Sequence, residues 1–339
     1  MFSRSPLIKS RSSKRKTRFK CPTIIQQARN PSRLEGPSLA NIMQAFEFYR
    51  FRFHFRALDP VRFPAGKSAN VVRGAFGTVL REAVPAAVYR RLFEPGAGLA
   101  GGPSGLADWP RPFVLRVAHL DGLTIQPDAG FFLDAHVFDL REPSLPHFRA
   151  AFARLAEKGL GPGRGRAALE RVEQLDADGK ATAVTDVAGA PSVAALEGGA
   201  RPVQRVAVRF LTPTELKSAG GVAERPEFAI LFGRLRDRIS TLRGIYGAGP
   251  LEIDFRGMGE RAALIRLVRC ELEWERVQRK SARTGQVHPI GGFTGEAEYH
   301  ADPDEAGLAE FLPWLRAARW VGVGRQTVWG KGDLRVVDR

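Results

Sequence analysis

Apolar and charged side chains alternate most strictly from Tyr49 to Arg56. Tyr49, Phe51, Phe53 and Phe55 take one parity, and Arg50, Arg52, His54 and Arg56 the other. A period of two predicts a half-buried strand with an aromatic core side and a basic exposed side. From Ser68, a candidate N-cap, the apolar positions take the helical spacing of Val72, Ala75, Val79, Leu80 and Ala83. A Gly- and Pro-rich excursion over 92–112 precedes two strand patterns, at 112–119 and 130–139. Ser144 can cap the next helix, which turns Leu145, Phe148, Phe152 and Leu155 to one side and stops at Gly159. A glycine segment (159–166) then leads into a closing strand, AALERVEQL.

The same order recurs in the second half. A strand at 205–211 is followed by a helix at 226–243, with Phe228, Leu231, Leu235, Ile239 and Leu242 on one side. RCELEWERVQRK and GGFTGEAEYH read as strands. A helix from about Asp304 buries Leu308, Phe311, Leu312 and Leu315, with Pro313 bending it. A second glycine segment (320–332) and a strand, DLRVV, close the half. Gly159 and Gly322 lie 163 residues apart, and the opening strands near Phe46 and Val206 lie 160 apart. Equal spacing at both ends indicates a duplicated unit.

Each unit reads strand–helix–strand–strand–helix–strand, the split βαβ order of a ferredoxin-like fold. The expected class is therefore α+β, with two tandem ferredoxin-like (RRM-like) domains carrying Gly-rich loops. Their expected bounds are 43–176 and 204–339, with a small-residue linker over 177–203. Residues 1–42 are expected to be a disordered basic arm, or the product of an upstream start codon with Met43 as the true start.

Composition narrows the function. The chain has 339 residues, 44% of them hydrophobic, and a net charge of +16. That is enough apolar material to fold, and the charge excess points to a polyanionic partner or an anionic surface. Ten Lys and Arg fall within residues 1–42 against a single acid, Glu35, so the body is more mildly basic. With only Cys21 and Cys270 there is no disulfide framework and no Cys-based zinc site, and neither metal nor cofactor is expected. No apolar run reaches the ~18 residues of a membrane span. Nor does an apolar stretch follow the basic start as a secretory signal requires, so a cytoplasmic protein is expected.

Glycine loops that bind nucleotides stand between a strand and a helix N-terminus, where free N–H groups meet phosphate. Both loops here run the other way, from helix to strand, and neither contains GxxxxGK[ST]. They either permit a tight connection, or let a polynucleotide backbone approach. In the second loop the latter reading is favoured: Gly322, Gly324, Gly330 and Gly332 give access while Arg325 and Lys331 neutralise phosphates. Trp320 and Trp329, which flank it, read as core packing. Arg279, Lys280 and Arg283 form a basic cluster suited to phosphates, with His288 close behind. Arg50 and Arg52, on the basic side of the first strand, are further RNA-binding candidates. His54 beside them is either a group able to exchange a proton with a bound polyanion, or a solvated strand residue. His119 and His136 read as core-facing, and His147 and His300 as structural residues near element ends.

The ordered strings KSANVVRGAFGTVLR (67–81), RLFEP (91–95), GLGPGRGRAALERVE (159–173), RFLTPTELK (209–217), RKSARTGQVHPIGGFTGEAEY (279–299), FLPWL (311–315) and VGRQTVWGKG (323–332) carry a resemblance. Over nearly all of 45–337 the chain resembles the CRISPR-associated endoribonucleases of the RAMP superfamily, which cut precursor CRISPR RNA within its repeats. The resemblance implies binding of repeat RNA and metal-independent cleavage, in which a 2′-hydroxyl attacks the neighbouring phosphate to leave a cyclic phosphate. That nucleophile restricts the reaction to RNA. It also implies CRISPR RNA as partner, with other CRISPR effector subunits or a homodimer as further possibilities.

Two departures stand out. VPAAVYRRLFEP lacks the paired Cys that many relatives carry before LFEP. Thr78 stands directly after RGAFG, where relatives often place the catalytic His, and Thr cannot serve as a base near neutral pH, so the resemblance leaves His54 as the candidate catalytic base. Two alternatives therefore stay open: a non-catalytic RNA-binding RAMP subunit of an effector complex, and a basic ribosome-associated protein, which explains the charge but not the duplication.

Overall fold

Both faces of the first strand are buried, at different ends, and this sets the architecture. The structure, a computed structural model, describes residues 44–96, 109–218, 220–275, 278–280, 287–289, 291–302 and 307–337. The expected arm over 1–42 lies outside them. Strand β1 (Ala45–Ala57) buries Phe51, Phe53 and Phe55 on its odd side and Phe46 and Phe48 on its even side. Because alternate residues of a strand face opposite ways, one strand serves two cores.

The odd side packs under α1 (Ser68–Ala83) and α2 (Leu145–Lys158). Phe53 meets Phe152 at 4.6 Å between ring centroids, and Phe152 meets Phe76 at 4.8 Å. Around β1 lie β2 (Phe113–Arg116), β3 (Gly130–Val137) and β4 (Ala167–Leu175). The order β2–β3–β1–β4 is that of a ferredoxin-like sheet. The second half repeats it with β7 (Arg205–Thr214), α3 (Phe228–Tyr246), β8 (Arg266–Glu275), β9 (Gly292–His300), α4 (Leu312–Val321) and β10 (Leu334–Val337), ordered β8–β9–β7–β10. The tandem ferredoxin-like class is as the spacing predicts.

Several local expectations need correction. Residues 177–203 are not a plain linker: they hold β5 (Ala181–Val184), which pairs with β4, and β6 (Ser192–Ala195), which pairs with the start of β1. Ala194 and Leu196 enter the second core, so the segment ties the halves together. Ser68 is the first helical residue rather than the cap, and its N–H donates to Asp121 Oδ1 at 2.9 Å. Pro313 stands in the first turn of α4, where a missing N–H costs nothing, and so starts the helix instead of bending it. A short helix at Phe255–Ala263, capped by Asp254, had no clear signal.

The second core draws Phe46, Phe48, Val114 and Phe138 from the first half, with Phe48 4.6 Å from the Trp320 ring. Beside it His136 donates from Nδ1 to the Trp320 carbonyl at 2.9 Å across the same junction. Burial, reinforced by Arg116, holds the His136 pKa well below its ordinary value. Among the described residues no helix is long and apolar enough to cross a membrane.

Phe48→Ala removes a ring that joins the two cores and should cost about 3–5 kcal/mol. Denaturation followed by circular dichroism and by tryptophan fluorescence should show one coincident transition at a lower midpoint; two separated transitions would mean independent halves. Unfolded His136 takes a proton near the usual ~6.5, whereas the folded ring resists it, so its contribution is full above that pH and fades as pH falls below it. Thermal midpoints measured from pH 7.5 to 5 should fall less for His136→Gln than for the parent.

Candidate nucleic-acid interface

Past Phe48 the even side of β1 changes from apolar to basic, and there it opens into a cleft of about 380 Å³ between the two halves. Register decides what lies beside it. Arg50 pairs across from His136, Arg52 from Asp134 and His54 from Phe132 on β3, while Arg116 on β2 also faces Asp134. The opposite wall comes from the second half: Leu211 and Thr212 of β7, Arg319 and Trp320 of α4, Gly330, and Asp333 and Arg335 at β10.

Five arginines (50, 52, 116, 319 and 335) thus line the cleft against two carboxylates, Asp134 and Asp333. Arg52 grips Asp134 through two 2.8 Å hydrogen bonds, with its guanidinium 3.9 Å from the Phe132 centroid. Arg116 approaches Asp333 only to 3.8 Å and donates to the Arg319 carbonyl at 3.2 Å. Its Nε and Nη1 are buried without a hydrogen-bond partner, as is the Nε of Arg50. Burial lowers the pKa of both groups, and repulsion from Arg319 adds to the effect at Arg50. Guanidinium still keeps its proton at neutral pH. Buried donors without acceptors are unfavourable unless something supplies them, and a phosphate oxygen is the natural acceptor.

Of the sequence candidates, Arg50, Arg52 and Gly330 come together in this cleft. His54 lies just beyond its lining, with Nε2 2.6 Å from Glu173 Oε2 and its side chain 18% exposed. That contact, followed by Arg171, holds the Glu173 carboxyl below its usual range. Gly324 and Arg325 line a separate pocket of about 160 Å³ with Lys217, Arg234 and Arg238, where Arg325 pairs with Glu215. Lys331 is 7% exposed and burial lowers its pKa. Arg279 and His288 are register partners in a pair of short antiparallel strands that also holds Lys280. Arg283 lies outside the described residues.

The glycines of the second loop approach this chain itself. Gly332, at φ +69°, would put a Cβ 1.9 Å from the Val323 carbonyl oxygen, and Gly324, at φ +78°, one 2.3 Å from that of Glu215. Gly322 ends α4. Their first task is to fold the loop tightly.

Sequence reading missed Arg116, Arg319, Arg335 and His119. Arg116 had a signal, since it shares the parity of Val114 in PFVLRVAH, but its facing strand was unknown. The expectation of a core-facing His119 is corrected: it is exposed at the cleft edge, in a 3₁₀ turn at Ala118–Leu120. Its ring stacks on Phe132 at 4.2 Å, and Nε2 donates to the Phe132 carbonyl at 3.1 Å. His136 is core-facing as expected. Thr78 is exposed on α1 and donates to the Gly74 carbonyl at 3.3 Å.

Comparison with known proteins agrees with the two-half fold. Residues 46–195 match a family model described as an N-terminal domain, and residues 208–334 match that of the CRISPR-associated endoribonuclease Cas6. No curated protein matches the chain in sequence. A Cas6 product complex shares the fold with a TM-score of 0.53 and 20% identity, over 86% of this chain and 99% of that one. Thermus thermophilus Cas6 does so with a TM-score of 0.51 and 19% identity, over 86% and 98%. A partial Cas6-RT-Cas1–Cas2 complex gives 0.54 and 11%, over 87% of this chain and 47% of that one. The second ferredoxin-like half therefore matches the Cas6 family model, and the chain as a whole shares the two-half fold of solved Cas6 structures.

Proposed function

We propose that the chain binds CRISPR repeat RNA in the arginine-lined cleft and cuts precursor CRISPR RNA without metal. The supporting observation is the set of buried, unpartnered guanidinium N–H groups of Arg50 and Arg116 on one side, faced by Arg319 and Arg335 on the other. Such a surface suits a single strand whose phosphates track between the two sheets. In the proposed reaction the 2′-oxygen attacks its neighbouring phosphorus in line, the bond to the 5′-oxygen breaks, and a cyclic phosphate and a 5′-hydroxyl remain. Guanidinium donors aimed at the phosphoryl oxygens stabilise the charge that builds up there. Arg279, Lys280, His288 and Arg325 extend the proposed RNA path beyond the cleft, while Lys331, buried under the loop, supports it from inside. Other CRISPR proteins are proposed partners, in keeping with the assembly named for one structural neighbour.

A second reading, a binding subunit that does not cut, is favoured by Thr78, whose hydroxyl serves its own helix. The two separate cleanly. A labelled precursor transcribed from the repeat array of the same genome, incubated with the protein in EDTA, should be cut once per repeat, and a 2′-deoxy substitution at the scissile nucleotide should abolish the cut. Tight binding without cleavage supports the second reading, and cleavage that needs a divalent ion overturns the first.

Arg319→Ala and Arg335→Ala alter exposed side chains and leave the fold intact. Each should weaken binding about tenfold, as for loss of one charged hydrogen bond, and flatten the salt dependence by roughly 0.7 in log–log slope per phosphate contact. Unchanged affinity and slope in filter binding would remove the cleft from the RNA path.

A further inference from the structure

Three histidines lie along the face that carries the cleft. His136 is buried with Nδ1 committed to the Trp320 carbonyl, and His54 is held by Glu173 outside the lining. His119 alone is exposed to the cleft, with Arg50, Arg52 and Arg116 lining the same space. A carbonyl can only accept, so the contact with Phe132 puts the proton of a neutral ring on Nε2 and leaves the lone pair on Nδ1. Among the described residues that nitrogen has no hydrogen-bond partner. Stacking on Phe132, which also carries Arg52 over its ring, fixes the plane of the imidazole.

We propose that His119 is the general base of RNA cleavage in this protein, acting through Nδ1. The assignment rests on the reading that the cleft cuts RNA. His119 Nδ1 takes the proton of the 2′-hydroxyl as O2′ forms its bond to phosphorus. The bond from phosphorus to the 5′-oxygen breaks, that oxygen takes a proton from water, and His119 later returns its own to water. Nothing else is consumed, and the phosphate charge is met by Arg50, Arg52 and Arg116.

The surroundings suit the role. Stacking on Phe132 takes one face of the ring out of water and pushes the His119 pKa below histidine's ordinary value, and Arg52 on β1 acts in the same direction. The hydrogen bond to Phe132, Asp134 on β3 and Asp121 beyond the turn oppose it. Arg116 on β2 and Arg50 on β1 are the other charged groups of the adjoining wall. A base must be unprotonated, so the cleavage rate should rise with pH through an inflection below ~6.5 and level off above it.

The test is single-turnover cleavage of the labelled repeat-array transcript in EDTA from pH 5 to 9, with binding measured in parallel. His119→Gln keeps a donor for the Phe132 carbonyl but has no basic nitrogen. It should lose at least about 100-fold in rate, keep its affinity within twofold and lose the acid limb of the profile. Added imidazole should restore part of the rate to His119→Ala. A His119→Gln variant within threefold of the parent rate sinks the assignment alone, as does a rate loss matched by an equal loss of binding. A parent protein that binds the transcript without cutting it overturns the enzymatic reading, and the assignment with it.

Discussion

Everything else in this molecule depends on β1 burying both of its faces. Phe51, Phe53 and Phe55 close the first core, while Phe46 and Phe48 on the other side close the second. A strand buried on both sides has no freedom to slide in register, because a shift of one residue would turn five phenylalanines outward. The even face is therefore held in place where it turns from Phe48 to Arg50, and that turning point is the floor of the cleft. The junction between the halves and the cationic site are consecutive stretches of one strand face.

Gathering five arginines around one cavity works against folding, since their mutual repulsion is only partly relieved. Asp134 and Asp333 provide two counter-charges, and aromatic faces provide another kind of support: Phe132 under Arg52 and Trp320 beside Arg319. Guanidinium groups tolerate this better than ammonium groups would, because their charge is delocalised and their flat faces stack. The remaining unpaired donors suit a polyanion that brings its own acceptors. Elsewhere on the described surface many arginines are paired, such as Arg205 with Glu298 and Arg209 with Glu296.

The second glycine loop contributes by shape. Its left-handed residues fold it back on Val323 and Glu215, and Gly330 lies against Ala69 at the start of α1, bringing a piece of the second half up to the first. The loop thereby forms one end of the cleft wall, with Arg325 on its far side in another pocket and Lys331 buried between. Glycine content alone could not separate close approach to a ligand from close approach to the chain's own backbone.

Period and spacing by themselves determined the duplicated strand–helix–strand–strand–helix–strand plan, the aromatic and basic sides of β1, and the α3 face, because these follow from side-chain alternation within single elements. The tertiary structure alone decided which basic residues meet. Arg50 and Arg52 were legible as candidates, but their partnership with Arg116, Arg319 and Arg335 depends on strand register and on the packing of one half against the other. The same holds for His119: PFVLRVAH reads as a strand running into the core, whereas the chain turns at Ala118 and leaves the ring outside on Phe132. Residues 177–203 were misread for a related reason, since a strand of small residues that pairs with a distant one has no period of its own. Local patterns report which way a side chain points from its own backbone, and only the folded chain decides what stands opposite it.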